Sequence, residues 1–597
     1  MRARSWLLAP LLLTLTSISA GQQWFAVQTD HLVSYSEGND KGARDAAQRG
    51  EQLIALFQEI FHRKDTTFAT PLRVMVIHAA PATEGRVATS STLARTPIAS
   101  YVTVDLAQPE SWTQAAHTLA TLTLEDNYPR AQPWFDLGIA NYLAGVRFSA
   151  EQMELGGMPL GMTMPAPGDW IPIGKLLETN DAAQVPPAQR AAFEAESLAL
   201  VRWIIENSRM AQAGAYLSAV QGRGATPERA LAEAFSMSPA DLDREVHESL
   251  AKLTTRKMPA PRVESNLFHS AKVPAADMHV LQANLSLFEP GGDGTLQELL
   301  AFMRQNQQDA MVHRSLAWAF ILRHDLDNAV EHIRRALELE DSDATMHYLY
   351  ARWVNQGDDN VIHQKDAGVR MGTELKAALR RDPNYAAALE LLGLAQLADD
   401  QGKPALENLQ RASAVRPRSS RYTLNLAKAY ESSGNLDAAR NLMLYARAGN
   451  DHEVTAEAAV LLEQIGRQKK QARDWRSAGL QADPNVKHSK YDNLQDAIAE
   501  DEAAEAKAKQ PETAAPDTRK VEHLTGRVIS VTCSSTTEAT LAVESAGHRW
   551  KLHVPDRNHA VLIGVQSFDC GWNGLSVSIN YKRAGSFEGE LVSLEAN

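Results

Sequence analysis

The sequence predicts a multidomain, mainly helical chain: an α+β domain first, a solenoid of helical repeats in the middle and a small all-β domain last. Three observations carry this. Apolar, β-branched runs alternate with an amphipathic helix pattern before residue 112. Small residues recur at intervals of 34 between residues 386 and 450. Short β-type runs separated by Gly, Asn and Ser occupy residues 521–597. At about 150 residues per domain, a chain of 597 residues exceeds one hydrophobic core. A net charge of −13 argues against a nucleic-acid partner, which would call for a basic face.

The N-terminus is read apart from the fold. Arg2 and Arg4 precede an apolar stretch from Leu7 to Ile18, with Ser17, Ser19 and Ala20 supplying small residues for cleavage. This is the pattern of a secretory signal peptide over residues 1–20, so a periplasmic or secreted protein is expected. No later stretch has the length and apolarity of a transmembrane helix.

Residues 24–34 (WFAVQTDHLVS) alternate as a strand does. Residues 42–62 place Ala46, Leu53, Leu56, Phe57 and Ile60 near helical spacing. Leu72 to Ile77 (LRVMVI) is a compact β-branched run, and residues 98–106 make another short strand. From 112 to 255 the pattern is helical, with helices expected at 112–124, 133–143, 193–205, 226–236 and 239–252. Pro133 suits a first helical turn. Residues 256–290 read as a linker, closing an N-terminal domain over 21–255.

Residues 291–466 are helical with short turns. Gly393, Ala405 and Ala412 recur 34 residues later as Ala427, Ala439 and Ala446, and Pro383 recurs as Pro417. Small side chains at these offsets let two antiparallel helices approach closely, and Pro ends the second. This pattern resembles the tetratricopeptide repeat, best over 386–450, well over 310–343 and partly over 344–385. The resemblance implies a stacked groove that binds a protein or peptide. Residues 467–520 are poor in large apolar side chains and read as a flexible linker. Residues 521–597 suit a small barrel or sandwich. The two cysteines, Cys533 and Cys570, both fall there, and a disulfide between them is expected in an oxidising compartment. The alternative is two buried thiols.

One segment bears on chemistry. Residues 115–124 read AAHTLATLTL and residues 133–145 read PWFDLGIANYLAG. Trp134, Gly138, Ala140 and Tyr142 keep the frame of a Trp-Leu-Asn-Glu-Gly-Leu-Ala-Glu-Tyr-like helix. Together with WFAVQTDHLVSYSEG (24–38), IPIGKLL (171–177) and FEAESLALVRWII (193–205), the segment resembles the gluzincin-type peptidase domain of exported bacterial proteins. Such a domain carries His-Glu-x-x-His on one helix and a Glu ligand on the next. Two histidines one turn apart bind zinc, and the Glu between them activates the metal-bound water.

In that frame His117 matches the first ligand. Thr118 stands at the general base, Thr121 at the second His and Leu137 at the Glu ligand. The resemblance therefore implies a peptidase scaffold without its zinc site, with His117 the sole remnant and no cofactor. The expected function is a non-catalytic, exported, protein-binding scaffold. The alternatives are a zinc peptidase with a displaced site, and an adaptor built on the repeats alone. There is no phosphate-binding Gly loop and no GxSxG elbow.

Overall fold

The computed structural model describes residues 23–596 apart from 62–65, 78–92, 150, 167, 224, 251–254, 265–267, 288–292, 354–364, 448–450, 478–516, 535–537, 558–559 and 564–567. The expected signal peptide and most of the expected 467–520 linker lie outside the described residues.

In chain order the first elements are β1 (Trp24–Gln28), β2 (Leu32–Glu37), α1 (Asp40–Phe61), β3 (Leu72–Ile77), β4 (Leu93–Arg95) and β5 (Ser100–Asp105). Next come α2 (Ser111–Asn127), α3 (Pro133–Ala144), β6 (Arg147–Phe148), β7 (Gln152–Leu155) and α4 (Ile173–Glu178). They are followed by α5 (Arg190–Glu206), α6 (Met210–Arg223), α7 (Pro227–Phe235), α8 (Pro239–Leu250) and β8 (Arg256–Pro259). Then come β9 (His269–Val273), α9 (Ala275–Leu287) and α10 (Asp293–Met303). A run of helices follows: α11 (Ala310–Ile321), α12 (Leu326–Leu339), α13 (Ala344–Trp353), α14 (Lys365–Arg381), α15 (Ala386–Ala398), α16 (Gly402–Val415), α17 (Ser420–Ser432), α18 (Leu436–Arg447) and α19 (His452–Ser477). The remaining elements are strands: β10 (Val521–Cys533), β11 (Ala539–Ser545), β12 (His548–Val554), β13 (Val561–Ile563), β14 (Ser576–Arg583) and β15 (Glu588–Ala596).

The chain folds as two compact units, each drawn from several stretches. The first takes residues up to Leu53, Thr70–Leu119 and Pro261–Pro383. Its sheet has the order β4-β5-β3-β2-β1-β9. The parallel pairs β2–β3 and β3–β5 form its middle, and antiparallel strands lie outside them. Trp24, Tyr35, Met75 and Tyr101 pack with Met278 and Leu281 of α9.

Two sequence expectations are corrected here. Residues 24–34 are not one strand but parts of a hairpin, because the chain turns at Asp30 and His31. The expected linker 256–290 is folded: β9 pairs with β1 and α9 covers apolar side chains of the sheet. The helices of this unit pair as hairpins, α11 with α12 and α13 with α14.

The second unit takes Ile54–Ala69, Ala120–Ala260 and Asn384–Asn597. Helices α3 and α5 cross closely, and Gly138 is the reason. A Cβ there would stand 2.4 Å from the Ser197 carbonyl oxygen and from a Val201 methyl. The β8 end of the expected linker pairs with β7 in a three-stranded sheet.

Helices α15 to α18 form two tetratricopeptide-like hairpins, and α19 packs on α18. Gly393, Ala405, Ala412, Ala427, Ala439 and Ala446 are all buried. At Gly393 a Cβ would meet Leu409 Cγ at 2.7 Å, so the hairpin closes only around a glycine.

Strands β10 to β15 form a closed barrel. Around the ring β10 pairs with β11, β11 with β12, β12 in parallel with β15, β15 with β14, and β14 with β10. This is the five-stranded Greek-key ring of an OB-type barrel, with β13 added beside β15. Val528, Leu541, Val543, Leu552, Ile579 and Leu594 fill it. Cys533, at the end of β10, is disulfide-bonded to Cys570, with 5.9 Å between their Cα atoms.

Candidate functional site: the His117 and Leu137 helices and a repeat face

Helix α2 carries His117, Thr118 and Thr121. Residues 117 and 121 are one turn apart and share a face. His117 is half-buried, and burial lowers its pKa, favouring the neutral ring. Leu137 lies in the second turn of α3 and is half-buried. Among the described residues no group of three His, Cys, Asp or Glu side chains could hold a metal ion.

The neighbour of Leu137 is engaged instead. Asp136 receives two hydrogen bonds from Arg418, at 2.8 and 3.0 Å. Arg418 also donates to the Tyr128 carbonyl at 2.9 Å. Arg416 donates to the Thr67 hydroxyl at 3.0 Å. Burial raises the Asp136 carboxyl above the usual carboxylate range, and the Arg418 guanidinium opposes that rise. The turn between α16 and α17 is thus clamped on the start of α3, within the second unit. A fork of two parallel N–H···O bonds fixes geometry as well as charge.

The first helices of successive hairpins, α15 and α17, lie beside each other, and α17 lies beside α19. Polar side chains cross between them. Glu390 of α15 is buried and accepts from Arg421 at 2.9 and 2.7 Å and from Asn425 at 2.7 Å. Lys428 pairs with Glu457 at 2.7 Å, and Gln464 donates to Glu431 at 3.3 Å. The Arg421 side chain is 53% exposed while it holds this pair. Sequence reasoning missed this ladder and the Arg418 clamp. One signal for the ladder was present: Glu390 is the only charged residue in α15.

A second ionisable cluster lies behind a groove of about 1000 Å³ lined by Trp170, Ile171, Lys175 and Phe193. Glu196 of α5 is fully buried, with its Oε1 3.7 Å from His247 Nε2. His247 Nδ1 is 3.3 Å from Asp243, which also accepts the Ile173 amide at 3.0 Å. Trp170 packs edge-on against the His247 ring. Burial, then the Asp243 charge, pushes the Glu196 carboxyl up to about 8, with the Ile171 amide opposing.

No family model matches the chain, and the comparison with curated proteins found no match. Solved structures match in part. The tetratricopeptide protein TTC0263 of Thermus thermophilus is 20% identical, over 31% of this chain and 98% of its own, with a TM-score of 0.27. PilF of Pseudomonas aeruginosa is 16% identical, over 37% of this chain and 96% of its own, with a TM-score of 0.26. YrrB, a tetratricopeptide protein described as having an unusual peptide-binding site, is 15% identical, over 31% and 91%, with a TM-score of 0.24. Likeness at this level says nothing of a partner. The repeats rest on the buried small residues and hairpins described above.

Proposed function

We propose that this protein is an exported scaffold that binds a protein or peptide partner on the α15–α17–α19 face of its repeats. The observation that carries the reading is the pair of hairpins whose crossings are filled by Gly393 and the recurring alanines. Repeats of that kind present extended binding surfaces. Arg421, held by buried Glu390 with its side chain half exposed on that face, is the cation this reading assigns to the partner contact.

The N-terminal half keeps a gluzincin-like frame as a structural element without catalysis. Thr118, Thr121 and Leu137 supply neither a general base nor zinc ligands, and Arg418 clamps the adjoining Asp136. Export is supported by the charged and apolar start of the chain.

The test is photocrosslinking in cells from a probe at Ala398, the exposed last residue of α15. The reading expects one dominant protein adduct that is lost in Arg421→Glu. An adduct pattern unchanged by Arg421→Glu, with chelator-sensitive peptide cleavage by the purified protein, overturns it.

A further inference from the structure

The Glu196–His247 pair and the groove beside it form a site that the repeat reading does not use. The Glu196 side chain is fully buried, and neither carboxyl oxygen has a hydrogen-bond partner among the described residues. His247 Nε2 has none either. Buried polar atoms are nearly always partnered, so two such orphans facing each other call for a third group. His247 Nδ1 lies 3.3 Å from Asp243 Oδ2, which turns the Nδ1 hydrogen toward Asp243 and leaves the Nε2 lone pair facing Glu196. The two atoms are 3.7 Å apart, too far for the carboxyl's own proton to bridge them.

The pair lies one residue layer behind the groove of about 1000 Å³. Phe193 lines that groove one turn before Glu196 on the same face of α5. Ile171 lines it too, and its amide is directed at the Glu196 carboxyl. Trp170 belongs to both places: it lines the groove, and its ring packs against His247 with 4.8 Å between centres. It sits half-buried on the loop before α4, outside any helix or strand.

Charge decides the ligand class. Asp169 and Glu178 are exposed on the groove wall, and with Glu196 and Asp243 behind it they outnumber Lys175. An anion would meet carboxylates and a lone pair. A group with several N–H donors and a positive charge satisfies Glu196 Oε1 and His247 Nε2 together, at about 2.9 Å from each. The Trp170 ring face attracts such a cation, and Phe193 and Ile171 offer apolar surface to an alkyl stem.

We propose that this groove binds a primary amine on an alkyl stem, with the ammonium seated between Glu196 and His247 and the Trp170 ring turned aside onto it. The amine is either a free diamine or the side chain of a lysine in another protein. Seating the cation ionises Glu196, whose carboxyl burial raises to about 8. Binding therefore releases a proton, and affinity rises about eightfold from pH 6.5 to pH 7.5. Asp243 and His247 of α8, and Lys175 and Asp169 of the groove wall, face the same space, and Glu196→Gln separates its part from theirs.

The test is calorimetry on the full chain with cadaverine, its uncharged analogue 1,5-pentanediol, and a blocked pentapeptide of alanines with one central lysine. The expected result is binding of cadaverine but not of the diol, with the eightfold pH dependence. In Glu196→Gln, binding at pH 7.5 falls at least tenfold and the pH dependence disappears. Lys175→Ala, on the exposed rim, removes an opposing charge and tightens cadaverine about twofold. Tighter binding of the peptide than of cadaverine assigns the site to a protein lysine, and the reverse assigns it to a free diamine. No binding of cadaverine or peptide at millimolar concentration overturns the proposal, as does a diol that binds equally well. Cadaverine binding that a folded Glu196→Gln chain leaves intact, or that Lys175→Ala weakens, overturns it too.

Discussion

Replacing Glu196 with Gln tests whether the second unit holds a neutral carboxyl at its centre. The side chain is fully buried on α5, with Asp243 and His247 of α8 beside it. Its pKa is raised from 4.5 to about 8. For an acid raised on folding, the folded state favours the protonated form. The stability this gives is fully present below pH 4.5 and is lost as pH rises through about 8. A shift of about 3.5 units corresponds to about 5 kcal/mol at the alkaline limit, and to about 3 kcal/mol of change between pH 5 and pH 8. Gln has nearly the same shape and no charge to release. The stability of Glu196→Gln minus that of wild type is therefore expected to rise by about 3 kcal/mol from pH 5 to pH 8. Urea unfolding of the full chain measures it, with the transition of α5 assigned by hydrogen exchange of its peptides. A difference constant to within about 0.5 kcal/mol across that range refutes a neutral buried Glu196.

Arg418→Ala leaves Asp136 partly buried without its fork and is expected to cost about 2–4 kcal/mol. Faster exchange of the 128–137 amides checks it, and Asp136→Asn in the same chain should recover part of the loss. Gly393→Ala forces a methyl against Leu409 and should destabilise the α15–α16 hairpin by about 1–3 kcal/mol. Gly402→Ala in open space is expected to be neutral or slightly stabilising, and thermal unfolding separates the two. Removing the Cys533–Cys570 bond, which spans 37 residues, should cost the barrel about 3–4 kcal/mol, seen as earlier unfolding of barrel peptides in reductant.

The repeats were legible because helix crossings demand small residues at fixed intervals, and a demand that repeats is visible without a structure. LRVMVI was legible for a related reason: a central strand paired on both edges and buried along most of its length reads as an apolar run, broken here only by Arg73. The β9 strand, HSAKV, failed that test because it is a short strand paired at the outer side of β1 and is mostly exposed. Helix α6 was missed because MAQAGAYLSAV has small side chains and little periodic contrast. The β1–β2 turn has neither Gly nor Pro to announce it. The reading of Thr118, Thr121 and Leu137 as departures rests on the resemblance to a peptidase frame and belongs to the proposal. The Arg418–Asp136 contact joins residues 282 apart, and no local pattern encodes such a distance.

The most direct measurement is the zinc content of the purified protein, beside a Thr118→Glu, Thr121→His, Leu137→Glu variant. The account predicts no stoichiometric zinc in wild type and about one zinc per chain in the variant, whose three changes restore a base and two ligands beside His117. Stoichiometric zinc in wild type, together with chelator-sensitive proteolysis, would contradict it.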